Sequence, residues 1–416
     1  MRILLLTRHM PAEHALPVDR GGGTDTFVQL LLALPSRFEN LTIDVAAMEP
    51  EGRKVQPPDG VRIEYFNDPV LRRFLWKHRE ARNPFFAALA LTWTVLRLIA
   101  TARRLLRHHR YDLIYAVGGP IAGVSGILIK RLTGLPLAMH FQYTYNFARA
   151  RKPMQWLARS FYRQADALIG NCAMLGTDAM RIGISSRKCS WVFNWIEDDL
   201  FRPLPNRAAL RREWGIREDQ TAFFFGGRFD RTKHVDRLIG ALHGLQKEEA
   251  VFFFAGDGIL RPALERLSDR NPSVHVVGTL ERSALTQLHN ACDVQFWGSV
   301  DVDYPGLVII EAMYSGLPVV TSNLTMNSLY EGEPVRGDFL GVPRLARLYP
   351  PTRDGIRAAI NESVDRRDEL ATLRPEVASF ARRAFGFGNA VRLMGILAKT
   401  AGVPAPGVTM EPIAAS

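Results

Sequence analysis

From Asp303 to Met313 the chain reads Asp-Tyr-Pro-Gly-Leu-Val-Ile-Ile-Glu-Ala-Met, two carboxylates flanking a glycine turn and an apolar run that passes into a small-residue, helix-prone segment. A turn at Gly306 lets backbone N–H groups approach an anion. A helix starting there aims its positive N-terminal dipole at the same spot, and Glu311, one turn in, is placed to accept hydrogen bonds from two hydroxyls. In outline this is a clamp for a sugar nucleotide. A glutamate alone at such a place also serves as a cap or as decoration of a core helix, so the reading depends on its company.

That company begins with Gly226-Gly227-Arg228-Phe229-Asp230-Arg231-Thr232-Lys233, which follows an apolar run and precedes a helical pattern. The glycine pair frees the backbone to turn, and Arg228 and Lys233 can converge on one anion across the loop. At an effective dielectric of about 20, a cation about 4 Å from an anion gains roughly 4 kcal/mol before desolvation, so two of them could stabilise a departing diphosphate. Solvated charges at a helix start would look the same. His140, in Met139-His140-Phe141, is either a satisfied core histidine or a polar group at the carboxyl end of a strand.

Short apolar runs alternate with helical patterns over most of the length, which predicts parallel sheets built from βαβ units. The expected strands are Ile3 to Leu6, Ile43 to Ala47, Val61 to Tyr65, Leu113 to Val117, Leu137 to Phe141, Ala167 to Ile169 and Trp191 to Phe193. Between Asn194 and Gly215 the pattern lapses, and Pro203 and Pro205 mark an expected interdomain linker. A second series follows at Ala222 to Phe225, Val251 to Ala255, Val274 to Val277, Val294 to Phe296 and Pro318 to Thr321. Two doubly wound domains would place a cleft where the carboxyl ends of both sheets face each other. Gly256-Asp257-Gly258 lacks the third glycine of a dinucleotide fingerprint, and Gly118-Gly119-Pro120 has the wrong spacing, so a nicotinamide or flavin cofactor is not expected. No P-loop, H-E-x-x-H or G-x-S-x-G is present.

A length of 416 residues exceeds a typical single core and predicts two domains. The net charge of +11 and a pI near 9.8 imply an anionic partner: nucleic acid, membrane surface or phosphorylated substrate. Interleaved aromatic or groove-reading motifs are missing, which argues against nucleic acid. Cys172, Cys189 and Cys292 are scattered and odd in number, suggesting neither a disulfide framework nor a zinc site and fitting a reducing cytoplasm. The apolar run after Met1 is too short for a signal peptide and reads as a first buried strand. From Arg72 to Arg110 the chain is basic at both ends and apolar between Pro84 and Ala100, interrupted by Arg97 and too short to span a bilayer. This segment is either a core helix or a basic amphipathic helix that draws the protein to an anionic membrane surface.

In order and spacing, Gly227-Arg228 with Lys233, Ala255-Gly256-Asp257-Gly258, Val277-Gly278, Ala291-Cys292-Asp293, and Asp303 to Glu311 followed by Ser315-Gly316-Leu317-Pro318-Val319-Val320 resemble the nucleotide-sugar domain of glycosyltransferase family 4. Upstream, Gly22-Gly23-Thr24-Asp25 is similar to that family's N-terminal glycine loop, Asp112-Leu113-Ile114-Tyr115 to its buried strand, and Asn194 to Pro203 to its interdomain junction. The resemblance runs from Met1 to about Ser322 and implies the GT-B arrangement of two Rossmann-like α/β domains. The implied domains are 1–195 on the acceptor side, with a C-terminal helix at about 380–400 packing back on it, and 196–380 for the nucleotide sugar. A flexible tail is expected over 401–416.

The reaction implied is retaining glycosyl transfer from a UDP- or GDP-linked sugar to a cell-surface glycan or lipid-linked acceptor, without cofactor or metal, in the cytoplasm or at the inner face of its membrane. In that resemblance Arg228 and Lys233 neutralise the donor diphosphate, Glu311 holds the ribose and Asp303 holds hydroxyls of the sugar. Backbone of Gly306, Leu307 and Val308 lines the pocket, and Gly278, Thr279 and Leu280 read the base through their backbone. Gly22 and Gly23 close the cleft from the other domain, and His140 faces the sugar. Leaving phosphate helps deprotonate the acceptor in a front-face displacement.

Three departures from the family pattern stand out. Asp303 replaces a glutamate, Tyr304-Pro305 replaces a glycine-aromatic pair and stiffens the turn, and Trp195 replaces a junction glycine. They keep open a catalytically silent sugar-nucleotide-binding scaffold, and a nucleotide-sugar epimerase of the same fold stands as a further alternative. Asp301-Val302-Asp303 also spells the Asp-x-Asp with which a different glycosyltransferase fold holds a divalent cation, a match expected to be coincidental.

Overall fold

Apolar runs with almost no charge become parallel strands covered on both faces. The computed structural model describes residues 1–8, 23–49, 56–67, 84–142, 150–171, 173–196, 200–245, 247–297, 306–322, 346–350 and 352–409. Two units are formed, Met1–Val192 with Ala390–Ser416, and Phe193–Asn389. In the first, β1 (Arg2–Thr7), β2 (Thr42–Met48), β3 (Val61–Phe66), β4 (Leu113–Val117), β5 (Leu137–Phe141), β6 (Ala167–Gly170) and β7 (Cys189–Trp191) make a parallel sheet in the order β3-β2-β1-β4-β5-β6-β7. Every residue of β4, β5 and β6 is buried.

One face of this sheet is covered by consecutive crossover helices. Leu98, Ala102 and Leu105 of helix Pro84–His108, Ile121 and Ile127 of Pro120–Thr133, and Ala158 and Tyr162 of Lys152–Tyr162 share a core with Leu4, Leu6, Ile114 and Met139. Helix Pro120–Thr133 starts on a proline, whose missing N–H is an orphan in the first turn anyway. It stops at left-handed Gly134, whose N–H donates to the Lys130 carbonyl at 2.8 Å. No helix among the described residues is long and apolar enough to cross a membrane.

In the second unit β8 (Thr221–Gly226), β9 (Ala250–Ala255), β10 (Val274–Gly278), β11 (Val294–Trp297), β12 (Val319–Ser322) and β13 (Ala346–Tyr349) form a parallel sheet in the order β10-β9-β8-β11-β12-β13. Phe223, Phe224 and Phe225 of β8 stand in register with Phe252, Phe253 and Phe254 of β9. The Phe223 and Phe252 rings stack at 4.9 Å, so this pair of strands carries a large share of the unit's apolar core.

Five expectations are corrected. The last strand of the first sheet is Cys189–Trp191 rather than Trp191–Phe193, because its ladder with β6 runs from Cys189 opposite Leu168 to Trp191 opposite Gly170. Strand β13 is a sixth strand, beyond the five expected of the second series. The Asn194–Gly215 stretch is not a bare linker: it contains helix Arg207–Glu213, pinned by Arg207 and Arg211 to the buried Asp293, the latter pair at 2.9 Å. Nor is the tail free as far as Thr409. Glu39 N–H donates to the Gly407 carbonyl at 2.8 Å, Thr409 N–H donates to the Arg37 carbonyl at 3.0 Å, and Phe38 bridges Val408. The C-terminal helical region is also split, into Arg367–Phe385 and Gly388–Ala401, and the unit boundary falls between Asn389 and Ala390.

Candidate functional site

In the second sheet the strand order reverses between β8 and β11, so the connections leaving their carboxyl ends run to opposite sides and leave a crevice. Glycines line it. Gly227 N–H donates to the Ala255 carbonyl at 3.0 Å and Gly256 N–H to the Gly278 carbonyl at 2.8 Å, which sets one glycine beyond or at the end of each of β8, β9 and β10. The approach is too close for side chains. A Cβ at Gly256, whose φ is +139°, would sit 2.0 Å from the Gly227 carbonyl oxygen, and one at Gly226 would sit 2.6 Å from a methyl of Val308. Thr279 and Leu280 follow Gly278 and are half-buried.

The cations stand on the loop after Gly227. Arg228 is exposed, with its Nε 3.5 Å from Asp230 Oδ2. Asp230 clips the loop into a single tight turn: its Oδ1 accepts from Thr232 Oγ1 at 2.6 Å and from the Lys233 backbone N–H at 3.1 Å. Lys233 is half-buried and carries its ammonium over the Trp297 ring, 4.8 Å from the centroid. Trp297, the last residue of β11, is stacked on Phe225 at 6.4 Å and abuts Gly306, where a Cβ would come within 3.3 Å of the indole.

Gly306 opens helix Leu307–Tyr314, its carbonyl accepting from Ile309 N–H at 2.8 Å. Ile309, Ile310, Ala312 and Met313 are buried and fasten the helix, while Leu307, Val308 and Glu311 are half-buried. The second unit therefore gathers Gly227, Lys233, Trp297, Gly306 and Val308 around one crevice, with Glu311 one turn into the helix. Together these supply backbone donors, a helix dipole, a cation and a carboxylate, a set suited to a phosphorylated ligand.

The first unit brings His140 to the carboxyl end of β5, but inside the fold. It has no exposed surface. Its Nδ1 lies 2.6 Å from Tyr115 Oη and its Nε2 3.3 Å from Gln142 Nε2. The pattern is satisfied if Nδ1–H donates to the tyrosine while Nε2 accepts from the amide, whose oxygen in turn accepts from Asn171 Nδ2 at 3.4 Å. Burial holds the imidazole down to a pKa of about 3 and pushes the Tyr115 phenol well above its usual range, so both are neutral. Phe27 of helix Gly23–Ala33 sits edge-on to the ring at 4.6 Å.

Gly23 begins that helix. Gly22, Asp301 and Asp303 lie outside the described residues. Among the described residues no three of His, Cys, Asp and Glu gather where they could hold a metal ion. Sequence reasoning missed Asp230 and Trp297. An Asp three residues before Lys233 is a capping signal, and an aromatic directly after the expected strand Val294 to Phe296 was the other available sign.

The description "glycosyl transferase 4-like domain" fits residues 21–195, and "glycosyl transferases group 1" fits residues 206–337. The chain is 26% identical over 297 residues to the sulfoquinovosyl transferase SQD2 of Arabidopsis thaliana, covering 69% of this chain and 56% of that one. It is 23% identical over 241 residues to the UDP-Gal:alpha-D-GlcNAc-diphosphoundecaprenol alpha-1,3-galactosyltransferase of Escherichia coli, covering 54% and 61%. The chain thus spans little more than half the length of these relatives. The fold matches that of HepE from Anabaena, solved in complex with UDP and glucose, with a TM-score of 0.66 and 19% identity over 94% of this chain and 98% of that one. With one domain description matching each of its two parallel-sheet units, this chain belongs to the GT-B glycosyltransferases of the family 4 type.

Proposed function

We propose that the protein transfers a sugar, with retention of anomeric configuration, from a nucleotide diphosphate sugar to a cell-surface glycan or lipid-linked acceptor. The observation that carries this reading is the glycine-cleared crevice between β8 and β11, with Lys233 held over Trp297 at one side and the start of helix Leu307–Tyr314 at the other. In this reading the diphosphate lies against the backbone of Gly227, Gly306 and Leu307. Lys233 and Arg228 neutralise the charge that grows on the leaving phosphate, without need of a bound metal, and Glu311 takes the two ribose hydroxyls. Asp303 would orient hydroxyls of the sugar, and Gly278 to Leu280 would read the base through backbone groups.

His140 is neutral and bonded on both ring nitrogens, so its part is to shape and polarise the floor of the first domain rather than to exchange a proton with solvent. The UDP and glucose bound to HepE and the UDP-galactose and diphosphoundecaprenol in the name of the Escherichia coli relative favour a UDP-linked donor and a lipid-linked acceptor over a GDP-linked donor. The test is product stereochemistry. Incubation of the protein with UDP-glucose or UDP-galactose and a short-chain lipid diphosphate sugar should give an α-linked product by proton NMR, undiminished by EDTA. A β-linked product would overturn retention, and isomerised donor without product would identify the epimerase alternative.

A further inference from the structure

Helix Pro84–His108 is longer than the sheet it crosses. Its carboxyl half is anchored: Leu98, Ala102 and Leu105 are in the core, and the Tyr111 hydroxyl just beyond it donates to Asp44 of β2 at 2.6 Å. Arg97 marks the other limit, because its guanidinium donates at 3.0 Å to the carbonyl of Asn67, the residue after β3 ends. Residues before Arg97 therefore extend past the carboxyl edge of β3, with Leu89 about 12 Å further along the helix at 1.5 Å per residue. Apart from buried Thr94 and from Val95, which packs against the core, this overhang is apolar and exposed: Leu89 is 59% accessible, Leu91 49%, Trp93 47% and Leu96 54%.

A second apolar surface lies toward the same edge. Helix Lys152–Tyr162 runs back along the sheet, with Ala165 and Asp166 reaching the amino end of β5, so its first residues stand toward the carboxyl edge. There Met154, Trp156 and Leu157 are 47%, 69% and 56% accessible, beside exposed Arg151 and Lys152. Neither helix contains an aspartate or a glutamate, and their charges, Arg97, Arg103, Arg104, Arg107, Lys152 and Arg159, are all cationic.

Exposed leucine and tryptophan at the tip, exposed Arg151 and Lys152 beside them and no carboxylate within either helix is the composition of a surface that lies in the headgroup region of an anionic bilayer. Pairing of this face with a second copy would set like charges against one another. We propose that the overhang Leu89–Leu96 and the start of helix Lys152–Tyr162 together insert into an anionic lipid surface, holding the carboxyl edge of the first sheet toward the headgroups. The proposal is independent of donor chemistry. It places a lipid-linked acceptor at the edge where doubly wound sheets bind their ligands.

The test is flotation of the full chain with vesicles of phosphatidylcholine alone or with phosphatidylglycerol. The wild type should float with the mixed vesicles at least ten-fold better than with phosphatidylcholine, and molar salt should weaken but not abolish this. Two variants, Leu89→Glu with Leu96→Glu, and Trp156→Glu with Leu157→Glu, should each lose at least ten-fold of the vesicle binding. Both alter exposed side chains, so circular dichroism and calorimetric UDP binding should be unchanged. Failure of the wild type to float, or flotation of both variants equal to wild type, would overturn the proposal. So would sedimentation showing a dimer that both variants dissolve, which would give the face to a second copy. Loss of UDP binding by the wild type would strike the donor reading alone.

Discussion

At the carboxyl edge of the second sheet side chains are withdrawn and charge is accessible: glycines end the strands, Arg228 is exposed and Lys233 half-buried. At the corresponding edge of the first sheet, polar side chains are withdrawn instead. His140, Tyr115, Gln142 and Asn171 are buried, bonded to one another, and in the first two cases held neutral. Both edges sit at the end of an equivalent strand reversal, β8/β11 in one and β1/β4 in the other. Topology provides a crevice twice, and the residues decide what each can hold. Bare backbone and accessible cations suit a dianionic diphosphate. A neutral buried network suits fixed geometry, since charging any member would cost the desolvation that has moved these pKa values.

The contrast can be broken most sharply at the open edge. Lys233→Ala and Glu311→Ala should each lower kcat/KM by about 10²–10³-fold while far-UV circular dichroism stays that of the wild type, because each removes a group that acts on ligand rather than on the core. Near-normal turnover in either would disprove the assignment. Gly256→Ala should cost about 2–4 kcal/mol in urea unfolding, since the new Cβ meets the Gly227 carbonyl at 2.0 Å in a backbone conformation that disfavours it, and donor binding should weaken in parallel.

The closed edge is tested by pH. The folded imidazole of His140 titrates near 3 while an unfolded histidine titrates near 6.5. Between those values the unfolded chain binds a proton that the folded chain does not, so stability falls as pH is lowered through this window, by about 1.4 kcal/mol per pH unit for each such group. His289, also buried and lowered to about 3, adds to the same slope. Urea unfolding at a series of pH values should show a shallower dependence for His140→Gln than for wild type, and an unchanged slope would mean the ring is charged or exposed. The smallest effect is expected at His234, which holds φ +56° directly after Lys233. His234→Gly should be about 1 kcal/mol more stable than His234→Ala, because only glycine escapes the left-handed penalty.

How far each edge could be read from the sequence follows from the range of its interactions. The glycine turn, the cations and Glu311 lie within short local motifs, so their places on one loop and one helix were legible, as were the apolar strands. The surroundings of His140 were not: its ring bonds Tyr115 of β4 and Gln142 just beyond β5, Gln142 in turn accepts from Asn171 beyond β6, and no local spacing announces a buried network assembled across three strands. The same holds for Trp297 beneath Lys233. In the Pro84–His108 segment, composition left a core helix and a membrane-surface helix open; the structure places Leu98, Ala102 and Leu105 in the core and leaves Leu89, Leu91, Trp93 and Leu96 exposed.

The central claim, that the crevice of the second sheet binds the diphosphate of a sugar nucleotide through its own cations, is tested most directly by calorimetry of UDP, GDP and ADP with wild type and Lys233→Ala in EDTA. The account predicts that wild type binds UDP in preference to the others, and that the variant binds it at least 30-fold more weakly. Equal affinity of wild type and variant, or binding that EDTA abolishes, would contradict it.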